Sequence, residues 1–381
     1  LLACAMTAGL LAGCGSKEAA PAETTTTETT EATDDAAAKE EAPAAEETAA
    51  TTEVVKYNDI KDELGGIPAA AKDMKFNIGF CGKAFENEFW RMEKEGSEAA
   101  AKALQELGLD VTVTAQAASG ESDVQGQETV MKAMSNGDYD AIMVAPISDS
   151  NLTAAIEAAQ EKGIPMSYCN DKDANVDLPS VVADHKDTAE LAAKWIAEKI
   201  GEEGQVAVVQ GLPTAEAARL RTDCFVDYMT ANYPNIEVVA QQNADWDRTK
   251  AKDVATTILK ANPDVKAIYA NNDTMAMGAI ESLKTAGAFD DGNGPIVYGI
   301  NGIPDVWEMI EDDYMAGTVL TSPYREAKII IDMAKNITDG KDALDGTDYK
   351  WGEFGKDVRV DDVAITKETL KIAQDDYAAC M

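Results

Sequence analysis

Short runs of β-branched and aliphatic residues alternate along this chain with longer stretches in which apolar residues recur every three or four positions. Phe76 to Phe80, Val111 to Val113, Ala141 to Val144 and Ile164 to Cys169 form a first set of runs, with the length and continuity of buried strands. Between the first two, Phe89, Met92, Gly96, Ala99, Ala103 and Leu107 fall on one helical face, and Gly108 stands where a helix commonly ends. Helices are predicted near Gln125 to Met134 and over Leu152 to Ala159. The cycle then repeats, with strands at Val206 to Val209, Ile236 to Val239, Val265 to Tyr269 and Ile296 to Ile300 and helices between them. Such strict alternation implies parallel sheets covered by helices on both faces. Two successive sets imply an α/β chain of two doubly wound lobes, in which a ligand binds outside the carboxyl ends of the strands.

The beginning of the chain follows neither period. Leu1 to Gly13 is apolar but too short to span a bilayer, which takes about 20 residues. It reads as the apolar part of a signal peptide, residues 1–13, with small residues at its end. The run Leu11-Ala12-Gly13-Cys14 matches a bacterial lipoprotein signal cleaved before Cys14, whose thiol would carry lipid. Two acyl chains anchor stably where one does so marginally, so the expected address is extracytoplasmic and lipid-anchored to the cell membrane. The charged start of such a signal is missing and the first residue is Leu, so the chain is expected to begin inside a precursor. Residues 14–55 are Ala, Thr, Glu and Pro with few larger apolar side chains. They cannot bury enough surface to offset ordering and are expected to form an extended acidic stalk.

Charge and composition then remove several function classes. A formal net charge of -36 argues against nucleic acid, which is bound through basic patches. No CxxC occurs and His185 is the single histidine, so a zinc site is not expected. Asp171, Asp173, Asn175 and Asp177 alternate as calcium-loop ligands do, but Val176 and Val182 stand where that loop needs Gly and Glu. No phosphate loop, dinucleotide glycine pattern or nucleophile elbow falls where it would be needed. No cofactor or resident metal is expected, and with few candidates for acid–base or nucleophilic chemistry the chain does not read as an enzyme.

Polar and aromatic residues gather just after several predicted strands: Glu86 to Trp90, Asn170-Asp171, Asn271 to Asp273, and Asn301. Asp273 is as readily explained as a helix N-cap and Asn272 as a turn residue. Trp246, in Ala244-Asp245-Trp246-Asp247-Arg248, sits at a polar junction poorly suited to a core and well suited to stacking. Arg219 opens a helix, where the macrodipole disfavours positive charge; a surface salt bridge or a ligand contact would each account for it.

Taken with Ala270 to Gly278, Gly317-Thr318-Val319-Leu320, Ala334-Lys335-Asn336 with Asp339-Gly340-Lys341, and Asp345-Gly346-Thr347, these residues resemble the sugar-binding proteins of bacterial ABC importers. The likeness runs from about Lys75 to Lys371 and is nearest the galactose/glucose type. It implies the type I periplasmic binding protein fold, two lobes joined by a three-stranded hinge with the ligand between them. The implied lobes are 75–183 with 322–353, and 184–321 with 354–381. The implied ligand-binding residues are Asn87, Phe89, Trp90, Asn170, Asp171, Arg219, Trp246, Asn272, Asn301 and Thr321.

Phe89 or Trp90 and Trp246 would cover the apolar faces of a sugar ring, while the polar side chains would satisfy its hydroxyls. That type has aspartates where Asn87 and Asn301 stand, and a calcium loop where this chain has the short turn Gly201 to Gly204, so no calcium is expected and a different hydroxyl pattern is. The implied partners are a monosaccharide and an ABC permease with its cytoplasmic ATPase, with a monomer as the expected state. A sugar or polyol sensor on the same fold is the alternative.

Overall fold

The computed structural model describes residues 75–381 except 107, 291–293, 323–343, 345–350, 352–356, 361 and 381. The proposed signal peptide, Cys14, the stalk and most of the segment 322–353 therefore lie outside the described residues. Those described belong to one unit of the chain, Thr52–Met381.

The first lobe runs β1 (Lys75–Gly82), α1 (Glu88–Glu106), β2 (Asp110–Ala117), α2 (Val124–Ser135), β3 (Ala141–Val144), α3 (Thr153–Glu161), β4 (Met166–Cys169) and β5 (Ser180–Ala183). The second begins with α4 (His185–Ile200), β6 (Gly204–Gln210), α5 (Glu216–Asn232), β7 (Ile236–Asn243), α6 (Arg248–Ala261), β8 (Val265–Ala270), α7 (Asp273–Ala286) and β9 (Ile296–Asn301). A 3-10 turn at Pro304–Val306, α8 (Trp307–Glu311) and β10 (Gly317–Leu320) follow, and the chain ends with β11 (Asp357–Val360), β12 (Val363–Ile365) and α9 (Leu370–Cys380).

The described strands form two six-stranded sheets, in the orders β11-β5-β4-β3-β1-β2 and β12-β10-β9-β8-β6-β7. Every pairing in the first sheet is parallel, and in the second only β10 with β12 is antiparallel. This is the expected pair of doubly wound lobes. One boundary differs. Residues 354–381 were assigned to the second lobe, yet β11 pairs with β5 in the first sheet, and the return to the second lobe falls between β11 and β12. Four-residue strands that extend a sheet edge leave no periodic signal of which sheet they join.

Central strands are apolar on both faces because helices cover both. In β6, Val206, Ala207, Val208 and Val209 are all fully buried. Val206 and Val208 pack with Ala189, Ala193 and Ile196 of α4 and Phe225 of α5. Ala207 and Val209 belong instead to the cluster containing Ala251, Ala255 and Ile258 of α6 and Ile280 and Leu283 of α7. Helices α6 and α7 meet at Gly278, where a Cβ would lie 2.1 Å from the Arg248 carbonyl oxygen. That close approach sets the second turn of α7 against the start of α6, and Trp246 and Asn272 lie just ahead of the two helices.

Candidate functional site

A cavity with about 300 Å³ of space lies between the lobes, bounded by Lys83, Asn87, Phe89, Trp90, Glu121, Asn170, Asp171, Ala217, Arg221, Trp246, Asn272 and Asn301. Nearly all of these residues sit just past the carboxyl end of a strand or in the first turns of the following helix, as the doubly wound topology requires.

The first lobe supplies an aromatic and charged wall. Asn87 opens α1; its Oδ1 accepts the Phe89 N–H at 2.9 Å and its Nδ2 donates to Glu121 Oε2 at 2.7 Å. Trp90 Nε1 donates to Glu121 Oε1 at 2.7 Å, and the Phe89 and Trp90 rings meet edge to face with centroids 4.9 Å apart. Lys83, 2% exposed, donates to Asp171 Oδ2 at 2.7 Å and lies 5.0 Å from the Trp90 ring centre. Burial alone would raise the Asp171 carboxyl, but the Lys83 ammonium, His185 and Arg221 outweigh it and hold it below its ordinary value.

The second lobe supplies the opposing wall. Trp246, 6% exposed, has room only because residue 211 is glycine: a Cβ there would lie 2.3 Å from the indole. Asn272 is the N-cap of α7, its Oδ1 accepting the Met275 N–H at 2.9 Å. Asp273, weighed above as that cap, turns away instead. It accepts from the Gly302 and Ile303 N–H groups at 2.7 and 3.0 Å and from the Thr318 hydroxyl at 2.7 Å, tying α7 to β9 and β10.

Backbone strain gathers at the same place. Asn170, Trp246 and Asn301 have φ of 64°, 67° and 122°, conformations that side chains other than glycine adopt at a cost and that cluster at functional sites. Three buried donors of cavity residues, Asn170 Nδ2, Arg221 Nε and Trp246 Nε1, have no acceptor among the described residues. Buried donors are rarely left so, and an oxygen-rich ligand would satisfy them.

Of the residues expected at the site, Asn87, Phe89, Trp90, Asn170, Asp171, Trp246, Asn272 and Asn301 line the cavity. Arg219 does not. It is half-exposed and pairs with Asp149 at 3.0 Å, while Arg221 takes the cavity position, buried, with Nη1 donating to the Asn271 carbonyl oxygen at 2.9 Å. Two residues on a helix are turned about 200° apart, so the two arginines face opposite ways. Thr321 is also behind the wall, where its hydroxyl accepts from Asn301 Nδ2 at 3.2 Å.

Lys83 and Glu121 were missed, although the rule that found Asn170 applied to both: each follows a strand of the first sheet. Arg221 carried no signal distinguishing it from Arg219. His185 opens α4 at the crossing between lobes, and no group of three or more His, Cys, Asp or Glu suited to a metal occurs among the described residues.

One buried carboxyl, Asp273, and two half-buried ones, Glu121 and Asp362, give stability a pH dependence of definite sign. Burial raises Glu121, Asp273 and Asp362 to about 7, against the hydrogen bonds and positive charges that would lower them. Unfolded, such groups titrate near about 4. Between about 4 and about 7 the folded chain therefore holds more protons than the unfolded chain, and stability falls as pH rises through that window. Asp171, depressed, acts in the opposite sense and only below about 4. The melting temperature at pH 5 is expected to exceed that at pH 8. Asp273→Asn, which keeps an oxygen for the Gly302 and Ile303 amides, should shrink the difference; an unchanged difference would count against the assignment.

Residues 78–342 match the family model described as a periplasmic binding protein domain. The D-allose-binding periplasmic protein of Escherichia coli (strain K12) is 35% identical over 254 residues, 63% of this chain and 78% of that protein. The ribose import binding protein of Bacillus subtilis (strain 168) is 30% identical over 268 residues, 70% and 83% of the two chains. An ABC transporter periplasmic solute binding protein from Actinobacillus succinogenes 130z, solved with bound D-allose, superposes with a TM-score of 0.67 at 29% identity, covering 78% of this chain and all of that one. These three are described by allose and ribose; none carries the galactose/glucose likeness expected from the sequence.

Proposed function

Because this chain belongs to the periplasmic binding protein domain family, we propose that it captures a neutral monosaccharide of pentose or hexose size between its lobes and delivers it to an ABC permease. The observation that carries this reading is the set of buried donors without acceptors among the described residues on an aromatic-walled cavity shared by both lobes. A sugar ring has two apolar faces and a rim of hydroxyls. Trp90 or Phe89 would cover one face and Trp246 the other, while Arg221, Asn170 and Asn272 would reach the rim.

The charges favour a neutral ligand. Lys83 and Asp171 compensate one another at 2.7 Å, and the Glu121 carboxyl is already engaged by Asn87 and Trp90. Asn301 offers an uncharged oxygen where the galactose/glucose type is described above as having a carboxylate. Allose and ribose, by which the relatives are described, are therefore the first candidates, with galactose and glucose behind them. Contact with both lobes would favour the closed form, since a ligand shifts a conformational equilibrium by its differential affinity. A lipid on Cys14 and a reaching stalk would keep the binding unit near the permease; both belong to this proposal.

A thermal-shift panel of D-allose, D-ribose, D-galactose, D-glucose and myo-inositol, followed by calorimetry on the positives, tests the reading. At least one aldose should raise the melting temperature by several degrees at about 100 times its Kd, where the gain in stability is about 2.7 kcal/mol. If none of the five moves it, the proposal fails.

A further inference from the structure

The lobes are also held together by contacts that do not touch the cavity. Asp149, in the loop after β3 of the first lobe, reaches Arg219 on α5 of the second with Oδ2 3.0 Å from Nη2, and its N–H donates to the Thr214 carbonyl oxygen at 3.2 Å. Neither Asp149 nor Arg219 bounds the cavity. A third strut, which does border the cavity, comes to the same helix from the loop after β4. The Ala217 N–H donates across the cleft to Asp171 Oδ1 at 3.3 Å.

These contacts meet at one helix start with a particular deficiency. The residue at the N-cap of α5 is Ala215, which makes no side-chain cap, so first-turn amides of α5 depend on partners from elsewhere. A carboxylate from the opposite lobe supplies one, and negative charge near a helix N-terminus is favoured. Arg219, by contrast, places positive charge in the first turns, which the macrodipole opposes. Asp149 is what offsets it, and only while the cleft is shut.

We propose that Asp149 and Arg219 form a closing latch: a positioning pair that raises affinity by favouring the closed arrangement of the lobes without contacting the ligand. The affinity part rests on the sugar reading above; the effect on the lobes does not. The pair is partly exposed, the Arg219 side chain 42% and that of Asp149 33% accessible, so its effect is that of a surface ion pair, about two- to fivefold in an equilibrium constant. The apparent Kd rises as the closed fraction falls, by at most that same factor.

Arg219→Gln, Asp149→Asn and the exchange Asp149→Arg with Arg219→Asp separate a latch from a passive surface contact. Small-angle scattering of the full chain without ligand reads lobe separation, and calorimetry with D-allose reads affinity. Each single variant is expected to increase the radius of gyration and raise the Kd by up to about fivefold, and the exchange to return both toward the unaltered values. Single variants that scatter as the unaltered protein does, or an exchange that rescues neither quantity, overturn the latch. Failure of the unaltered protein to bind D-allose or any other sugar overturns the sugar reading instead, and scattering then decides the latch alone.

Discussion

Asp171→Ala is expected to lower the stability of the protein by about 3–5 kcal/mol, the range seen when one partner of a buried ion pair is removed and the other charge is left uncompensated. Lys83 and Asp171 are 2% and 4% exposed at their side chains and 2.7 Å apart, so the ammonium left behind would have no solvent to turn to. Part of the loss comes from the cross-lobe bond to the Ala217 N–H. The companion variant Lys83→Met with Asp171→Ala should recover most of the stability, because an apolar side chain needs no counter-charge, while ligand affinity stays low. Chemical denaturation of the three proteins makes the comparison. An Asp171→Ala protein as stable as the original would show that Lys83 finds another partner.

Arg221→Ala is expected to weaken binding of whichever sugar passes the panel on the order of 100-fold, since hydrogen bonds to a charged group contribute about 1.5–3 kcal/mol and each 1.4 kcal/mol is tenfold. The guanidinium is buried, held by the Asn271 carbonyl oxygen through Nη1, and its Nε has no acceptor among the described residues. Two residues earlier, Arg219→Ala should cost less than tenfold and act through the lobes. Calorimetry on the two variants side by side therefore tests the assignment of the arginine by rank order. If Arg219→Ala proved the more damaging change, the cavity would have been assigned the wrong side of α5.

This pair of arginines also shows where sequence reading stops. The strand ends could be located, and with them Asn170, Asp171, Trp246, Asn272 and Asn301, because a strand announces itself by local apolar continuity and its last residue is fixed by where that continuity ends. The rule extends to Lys83 and Glu121, which a stricter application would have included. Helix phase is different. Arg219 and Arg221 share a composition, a helix and a distance from the preceding strand, and the choice depends on which face of α5 meets the cleft. Thr321 and Asp273 meet the same limit in other elements: the first, expected at the ligand, lies behind Asn301, and the second, weighed as a cap, ties α7 to β9 and β10.

The sequence by itself determined the α/β alternation, the two sets of parallel strands and the rim of strand ends on which a ligand site is built. Those follow from short continuous apolar runs and a 3.6-residue period between them and need no knowledge of distant neighbours. Only the tertiary structure decided that Lys83 meets Asp171 across 88 residues of sequence, that Gly211 opens space for Trp246, that β11 joins the first sheet, and that Arg221 rather than Arg219 reaches the cavity. Each of these depends on how separate elements pack and on which of their faces are turned toward one another, a choice that only the folded arrangement makes.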